Sequence, residues 1–143
     1  MVYDGDHDGR KSIRILNPCA PTHLSDPDCQ WYDDPAVLSM QVMRWYAAAE
    51  ALADGSVVIV GGFTSGGYVN RHVPNVDPAY EGGAATPTFE FYPSKGAATV
   101  MQFMITTSGL NAYAHTYLMP DGRLLVQANL STSESFSLSL TAI

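Results

Sequence analysis

The feature that most constrains the fold of this chain is an internal repeat of two strand-forming segments joined by an Asp-Gly turn. The segment that starts at Tyr46 reaches its turn at Asp54-Gly55, and the segment that starts at Tyr113 reaches its turn at Asp121-Gly122, a shift of 67 residues. Asp-Gly between apolar runs is one of the strongest short-range signals for a β-hairpin. The repeat therefore predicts antiparallel sheet.

Strand patterns also account for most of the other apolar segments. Ser56–Val60 is a β-branched run, Thr88–Tyr92 alternates up to Pro93, and Ser12–Leu16 alternates as well. The alanines of Arg44–Leu52 permit a helix, but this short segment lacks an N-cap pair and leads into a tight turn. We predict an inner strand there and keep a short helix as the alternative. The core is predicted to contain Trp45, Leu52, Val57, Ile59, Phe89, Phe91, Leu124 and Val126.

Placed in order, these strands predict an all-β, antiparallel fragment of a β-propeller with about two four-stranded blades. Residues 12–43 are expected to end one blade, with a loop that carries both cysteines. Residues 44–110 are expected to form one blade with a long loop, Thr64–Pro87, and residues 111–129 the inner hairpin of the next blade. Residues 130–143 form an atypical, Ser-rich end. Because a propeller ring needs at least four blades, the chain is expected to be a fragment.

The cysteines Cys19 and Cys29 lie in a polar loop whose proline, serine and aspartate residues favour a turn. This arrangement favours a disulfide, which implies an oxidising compartment. The alternative is two unrelated surface thiols. A zinc site is disfavoured because zinc takes four ligands and only His23 lies between the cysteines.

Charge and hydropathy exclude several classes of partner. The formal net charge is -7 and the seven basic residues form no patch, so we expect neither nucleic acid nor an anionic membrane as a partner. No apolar run reaches 18 residues, so no transmembrane helix is predicted. The opening MVYDGDHDGR is too polar and acidic for a signal peptide, and a secreted parent protein is expected to carry its signal upstream.

The stretch MQVMRWYAAAEALADGSVVIVGG resembles a blade of the glyoxal oxidase family and, more distantly, of galactose oxidase. The segments GGYVNRHVPNVDPAYEGG, TPTFEFYP, IRILNPC, DCQW and NAYAHTYLMPDGRLLVQAN resemble the glyoxal oxidase branch, so the resemblance covers residues 12–129. It implies that residues 1–143 are part of a glyoxal oxidase N-terminal domain. The fold it implies is a kelch-type β-propeller, and the implied protein is a secreted copper-radical oxidase.

The resemblance implies that Tyr46 is the radical tyrosine, whose oxygen binds copper and whose ring is cross-linked to a cysteine sulfur. Phenolate and imidazole ligands suit Cu(II) in a tetragonal site. The alternative is an ordinary, half-buried strand tyrosine. Cys19 and Cys29 match loop cysteines of the family. The cross-linking cysteine of the family lies in an earlier blade, before the part of the family sequence that resembles residue 12 onward.

The family takes its second tyrosine ligand and two histidine ligands from later blades, so this chain is not expected to bind copper by itself. His115 is not matched to a copper ligand. The remaining histidines lie in polar loops with no second histidine at ligand spacing, and they are His7, His23 and His72. In the long loop, Tyr68, Asn70 and Arg71 are expected either to line a substrate mouth or to be solvated.

The implied activity of the parent protein is oxidation of small aldehydes to carboxylic acids, with O₂ reduced to H₂O₂. The fragment itself is expected to be inactive. One alternative is a non-catalytic kelch interaction module in which Tyr46 is structural, since fold alone does not fix function. Another is a truncated gene product, whose unpaired strand edges would favour aggregation.

Overall fold

A computed structural model describes residues 8–64, 85–107, 112–127 and 133–138. The chain divides into two compact units, Met1–Met40 and Gln41–Ile143. The first unit contains three short 3₁₀ turns, at Gly9–Lys11, Pro21–His23 and Pro27–Cys29.

The strand predicted at Ser12–Leu16 is wrong, because this segment makes only two isolated bridges. Ser12 bridges to Ser39, and Ile15 exchanges two backbone hydrogen bonds of 2.9 Å with Tyr32. A longer ladder is prevented because Asn17-Pro18 follows the run directly, and proline has no backbone N–H to donate to a partner strand.

The second unit begins with a four-stranded antiparallel sheet in the order β1-β2-β3-β4. Its strands are β1 (Ala48–Ala51), β2 (Val57–Val60), β3 (Thr88–Tyr92) and β4 (Thr99–Val100). The predicted inner strand is therefore confirmed as a strand rather than a helix, although it is shorter than the predicted segment. Strand β3 coincides with the alternating run that the sequence indicated.

A second antiparallel sheet follows, in the order β5-β6-β7. Its strands are β5 (His115–Leu118), β6 (Leu124–Gln127) and β7 (Ser133–Phe136), and β5 lies against β1 of the first sheet. The described residues thus confirm an all-β, antiparallel chain with sheets of four and three strands.

The two hairpins are structurally equivalent. In the first, the Leu52 N–H donates to the Ser56 carbonyl at 2.8 Å, and in the second the Met119 N–H donates to the Arg123 carbonyl at 2.8 Å. Gly55 and Gly122 close the two turns with φ values of 82° and 80°, a backbone conformation that favours glycine. The internal repeat in the sequence is therefore a repeat in the structure.

The core joins the two sheets through one face of β2 and one face of β6. Val58 and Val60 of the first sheet and Leu124 and Val126 of the second are almost completely buried. The prediction that Val57 lies in the core is wrong, because Val57 is only partly buried. Ile59 is buried as predicted, although it lies outside this cluster. Phe91, Leu124 and Val126 lie in the core as predicted, while Leu52 and Phe89 pack against it.

One short helix, α1 (Gln102–Thr106), interrupts the sheet pattern and was not predicted. It places Phe103 and Met104 in the core, and the Phe103 ring lies 5.7 Å from the Phe136 ring. Within the described ranges, no helix is long and apolar enough to cross a membrane.

Candidate functional site

The two tyrosines that the internal repeat aligns share an unusual backbone conformation. Tyr46 has φ 58° and Tyr113 has φ 51°, and they are the only non-glycine residues with positive φ in the described part of the chain. Bulky side chains rarely adopt this region, which costs about 1–3 kcal/mol for each residue. The surrounding structure must therefore hold both residues in place.

Trp45, the residue before Tyr46, is held by the segment that follows β2. The Trp45 N–H donates to the Phe63 carbonyl at 2.7 Å, and the Phe63 N–H donates to the Trp45 carbonyl at 2.8 Å. Gly62 has φ 90°, and a Cβ atom at Gly62 would lie 2.6 Å from the Trp45 carbonyl oxygen. Only glycine permits this approach, so the double glycine after β2 fixes the backbone that leads into Tyr46.

Arg44, on the same segment, lies in a buried polar network and is only 4 % exposed. Its Nε donates to Glu90 Oε1 at 2.7 Å, and its Nη1 donates to the carbonyls of Gly61 at 2.7 Å and Thr88 at 2.9 Å. Nη2 donates to the Thr88 hydroxyl at 2.7 Å. One side chain thus ties the segment before Tyr46 to the end of β2 and to β3.

Glu90 balances the charge of Arg44 from the middle of β3 and is 2 % exposed. Its second oxygen, Oε2, accepts the Gln41 backbone N–H at 2.6 Å. Burial lowers the pKa of Arg44, and the hydrogen bond and charge of Glu90 oppose that shift. The guanidinium stays charged at physiological pH, so the pair is a buried salt bridge.

Tyr46 and Tyr113 touch each other directly. The Tyr113 N–H donates to the Tyr46 carbonyl at 2.8 Å, and the ring centroids lie 5.3 Å apart with the planes tilted by 49°. The Trp45 ring lies 5.9 Å from the Tyr46 ring. Trp45 is 43 %, Tyr46 38 % and Tyr113 67 % exposed, so the prediction that Trp45 lies in the core is wrong. These three residues form an exposed aromatic cluster.

This aromatic cluster contains two phenols, those of Tyr46 and Tyr113, and a phenol can bind a metal ion through its oxygen or lose an electron from its ring. In the part of the chain that the structure describes, no group of three or more His, Cys, Asp or Glu residues lies together as a metal site. His115 is exposed on β5, and its Nδ1 lies 3.5 Å from the Tyr117 hydroxyl.

The other residues singled out in the sequence lie away from this cluster or outside the described residues. Cys19 and Cys29 form a disulfide in the first unit, with their Cα atoms 5.8 Å apart. His23 lies between them in an exposed 3₁₀ turn. The residues that fall outside the described ranges are His7, Tyr68, Asn70, Arg71 and His72.

A cleft of about 380 Å³ lies between the two Asp-Gly turns of the second unit. Two ion pairs line it, one between Asp54 and Lys95 and one between Asp121 and Arg123. Hydrogen bonds from Lys95 and Ser56 lower the pKa of Asp54, and the hydrogen bond from Arg123 lowers the pKa of Asp121. Because these charges already have partners, the cleft offers a ligand little electrostatic attraction.

Sequence reasoning missed three parts of this site: the contact with Tyr113, the salt bridge of Arg44 with Glu90, and the approach of Gly62. The repeat aligned Tyr46 with Tyr113 but gave no reason to expect that they touch. Arg44 and Glu90 are 46 residues apart, so only the folded sheet brings them together.

Comparisons with known proteins give one family model and two relatives. Residues 1–79 match the family model described as "Glyoxal oxidase N-terminus". The chain is 32 % identical over 129 residues to "Aldehyde oxidase GLOX" of Vitis pseudoreticulata, a match that covers 87 % of this chain and 20 % of the relative. It is 28 % identical over 95 residues to a "WSC domain-containing protein" of Arthroderma benhamiae, covering 66 % of this chain and 9 % of that protein. The chain thus spans a fifth or less of these relatives, and no solved structure matches it.

Proposed function

This chain belongs to the glyoxal oxidase family, through its N-terminal domain, and we propose that it is the part of a copper-radical oxidase that contributes the radical tyrosine, Tyr46. The parent protein would oxidise a small aldehyde and water to a carboxylic acid, passing two electrons and two protons to O₂ to give H₂O₂. The observation that most supports this role is the left-handed backbone of Tyr46, held beside a close Gly62 contact and a buried salt bridge.

A redox-active tyrosine works best when it moves little as its charge changes, because structural reorganisation raises the activation barrier for electron transfer. The contacts around Tyr46 serve this need. Gly62 and Phe63 hold the preceding peptide, the Arg44–Glu90 pair holds the segment against β3, and the Tyr113 N–H holds the Tyr46 carbonyl. The Tyr46 side chain remains half-exposed, which leaves its phenol accessible to a metal ion.

When bound, copper together with the Tyr46 phenol would supply two one-electron acceptors, enough for the electron pair of an aldehyde oxidation. The phenol of Tyr46 suits Cu(II) as an oxygen ligand. Among the described residues of the second unit the one histidine is His115, and its Nδ1 lies beside the Tyr117 hydroxyl. We therefore propose that the remaining ligands, and the cysteine that would be cross-linked to Tyr46, belong to other parts of the parent protein.

The architecture and location of the parent protein are part of the same proposal. Two antiparallel sheets that begin with equivalent hairpins are what successive blades of a kelch-type propeller would present. The disulfide between Cys19 and Cys29 supports a secreted protein, because disulfides persist in oxidising compartments.

The proposal can be tested in a chimera in which residues 12–127 of this chain replace the matching segment of the Vitis aldehyde oxidase. The copper-loaded chimera is assayed for aldehyde-dependent H₂O₂ formation and for its Cu(II) EPR spectrum. We expect Tyr46→Phe to abolish peroxide formation and to change the copper spectrum. Tyr117→Phe is the matched control, since Tyr117 is also an exposed tyrosine of the second unit, and it should retain activity.

The chimera must first be shown to lose peroxide formation when copper is removed. If the Tyr46→Phe chimera then still forms peroxide, the assignment of Tyr46 is refuted. The 143-residue chain gives a second test, by Cu(II) titration with EPR detection. We expect no stoichiometric copper signal that depends on Tyr46. Such a signal would contradict the proposal that the other ligands lie elsewhere.

A further inference from the structure

The rings of Tyr46 and Tyr113 are close neighbours at the surface of the second unit. Their centroids are 5.3 Å apart, and a 2.8 Å backbone hydrogen bond keeps the two residues together. Both side chains are exposed, so changes of side-chain torsion alone can bring the ring edges together without moving the core. The role proposed for Tyr46 above uses the backbone hydrogen bond but not the contact between the two rings.

From this geometry we propose that Tyr46 and Tyr113 form an oxidative cross-linking site that yields a dityrosine within one chain. Each phenol loses one electron and its hydroxyl proton, and the two resulting phenoxyl radicals form a carbon–carbon bond between ring positions ortho to the oxygens. The two ortho hydrogens then move to the oxygens and restore both phenols. The net loss is two electrons and two protons, which hydrogen peroxide accepts through a haem peroxidase to become two water molecules.

The site is selective because it depends on proximity. Tyr32 and Tyr117 are also exposed, but neither has a ring contact with another tyrosine in the described ranges. A radical formed on an isolated surface tyrosine must meet a second molecule, whereas one formed on Tyr46 or Tyr113 already has its partner in place. Holding reactants together in this way can raise the effective concentration of a reaction by several orders of magnitude.

The inference goes beyond the proposed oxidase and needs no copper. It assigns a role to Tyr113, which the repeat alone did not explain. The cross-link would join the turn before β1 to the turn before β5, and so would tie the two sheets together at the aromatic cluster. If the cross-link does not form, the role proposed for Tyr46 in the oxidase chimera is unaffected. If Tyr46 proves dispensable in the chimera, the cross-linking proposal is equally unaffected.

The test treats the full 143-residue chain, at low concentration and without copper, with hydrogen peroxide and a haem peroxidase. Trypsin cleaves after Arg44, Arg71, Lys95 and Arg123, so Tyr46 and Tyr113 fall in peptides 45–71 and 96–123. Mass spectrometry then searches for these two peptides joined with the loss of two hydrogen atoms. Dityrosine fluorescence in the monomer fraction gives the second readout.

We expect the joined peptides in the wild type and in Tyr117→Phe, and their loss in Tyr46→Phe and in Tyr113→Phe. Each phenylalanine keeps the ring and removes one exposed oxygen, so each variant is expected to keep the fold. The proposal is overturned if the joined peptides persist in either of the last two variants. Oxidation of the exposed Tyr32 shows that the peroxidase has acted on the chain. If Tyr32 is oxidised and the wild type forms only cross-links between chains, or none, the proposal is also overturned.

Discussion

Replacing Gly62 by alanine should destabilise the second unit much more than the same replacement at Gly55. Both glycines have positive φ, 90° at Gly62 and 82° at Gly55, so both alanines are strained by the backbone conformation. They differ in the space around the new methyl group. At Gly62 it would lie 2.6 Å from the Trp45 carbonyl oxygen, whereas at Gly55 nothing lies within 4 Å.

The expected difference follows from the contacts that the methyl group would break. The left-handed strain costs about 1–2 kcal/mol at either position and cancels in the comparison. At Gly62 the methyl group also pushes Trp45 from Phe63 and breaks their two backbone hydrogen bonds, each of which stabilises by about 1 kcal/mol. Gly62→Ala should therefore lower the free energy of unfolding by about 2 kcal/mol more than Gly55→Ala, roughly a 30-fold change in the unfolding equilibrium constant.

Urea unfolding of both variants under one set of conditions measures this difference. Amide hydrogen exchange locates it, because exchange at the Trp45 and Phe63 N–H groups should accelerate in Gly62→Ala and stay unchanged in Gly55→Ala. Equal destabilisation of the two variants, or unchanged exchange at Trp45 and Phe63, would show that the close approach of Gly62 does not hold the segment before Tyr46.

Three further predictions test other contacts. Glu90→Gln leaves the charge of Arg44 buried without a counter-ion and should lower the free energy of unfolding by about 3 kcal/mol in urea titrations; a loss below about 1 kcal/mol, typical of an exposed pair, would contradict the buried network. Lys95→Met removes the main cause of the lowered Asp54 pKa, so carbon NMR titration should show that pKa rising toward its ordinary value of about 3.9. Because the folded pKa is below the unfolded one, the contribution of Asp54 to stability is present above about pH 4 and is lost as the pH falls, and urea midpoints of Lys95→Met should fall less steeply below that pH. An unchanged Asp54 titration would show that Lys95 is not the cause. Reduction of the disulfide, which closes a short loop, should destabilise the first unit by about 3 kcal/mol, seen as faster proteolysis within residues 8–40; an unchanged rate would show that the loop is held by its other contacts.

The hairpins could be predicted from the sequence because their signals are local. Asp-Gly turns and β-branched runs fixed the positions of β1, β2, β5 and β6, and the 67-residue shift between the hairpins holds in the structure. Strand β3 could be predicted for the same reason, since it alternates and ends before Pro93. Each of these signals acts over a few residues and needs no knowledge of the rest of the chain.

The core face of β2 could not be predicted in the same way. Its four residues are all β-branched and apolar, so alternation gives no indication of which face meets the second sheet. The structure turns Val58 and Val60 to the joint core, and Val57 outward. Helix α1 was missed because five residues without a side-chain cap carry almost no local helix signal.

The candidate site likewise has a part that the sequence indicated and a part that only the fold shows. Tyr46 was found through resemblance to a family, since its local sequence looks like that of an ordinary strand tyrosine. Its left-handed backbone, its contact with Tyr113 and the Arg44–Glu90 pair depend on segments far apart in the chain. Local propensity contains no information about such contacts.

The connection after each hairpin shows where the architecture tolerates added length. Residues 61–87, 27 in number, separate β2 from β3, whereas residues 128–132, five in number, separate β6 from β7, and both hairpins keep the same register. By the entropy of loop closure alone, a connection of 27 residues costs only about 1.5 kcal/mol more than a connection of five. The connection from the second to the third strand of each sheet is thus a suitable position for an insertion. A peptide inserted after Gln127 should leave the second hairpin intact, which makes this link a place where new binding segments can be installed by evolution or by design.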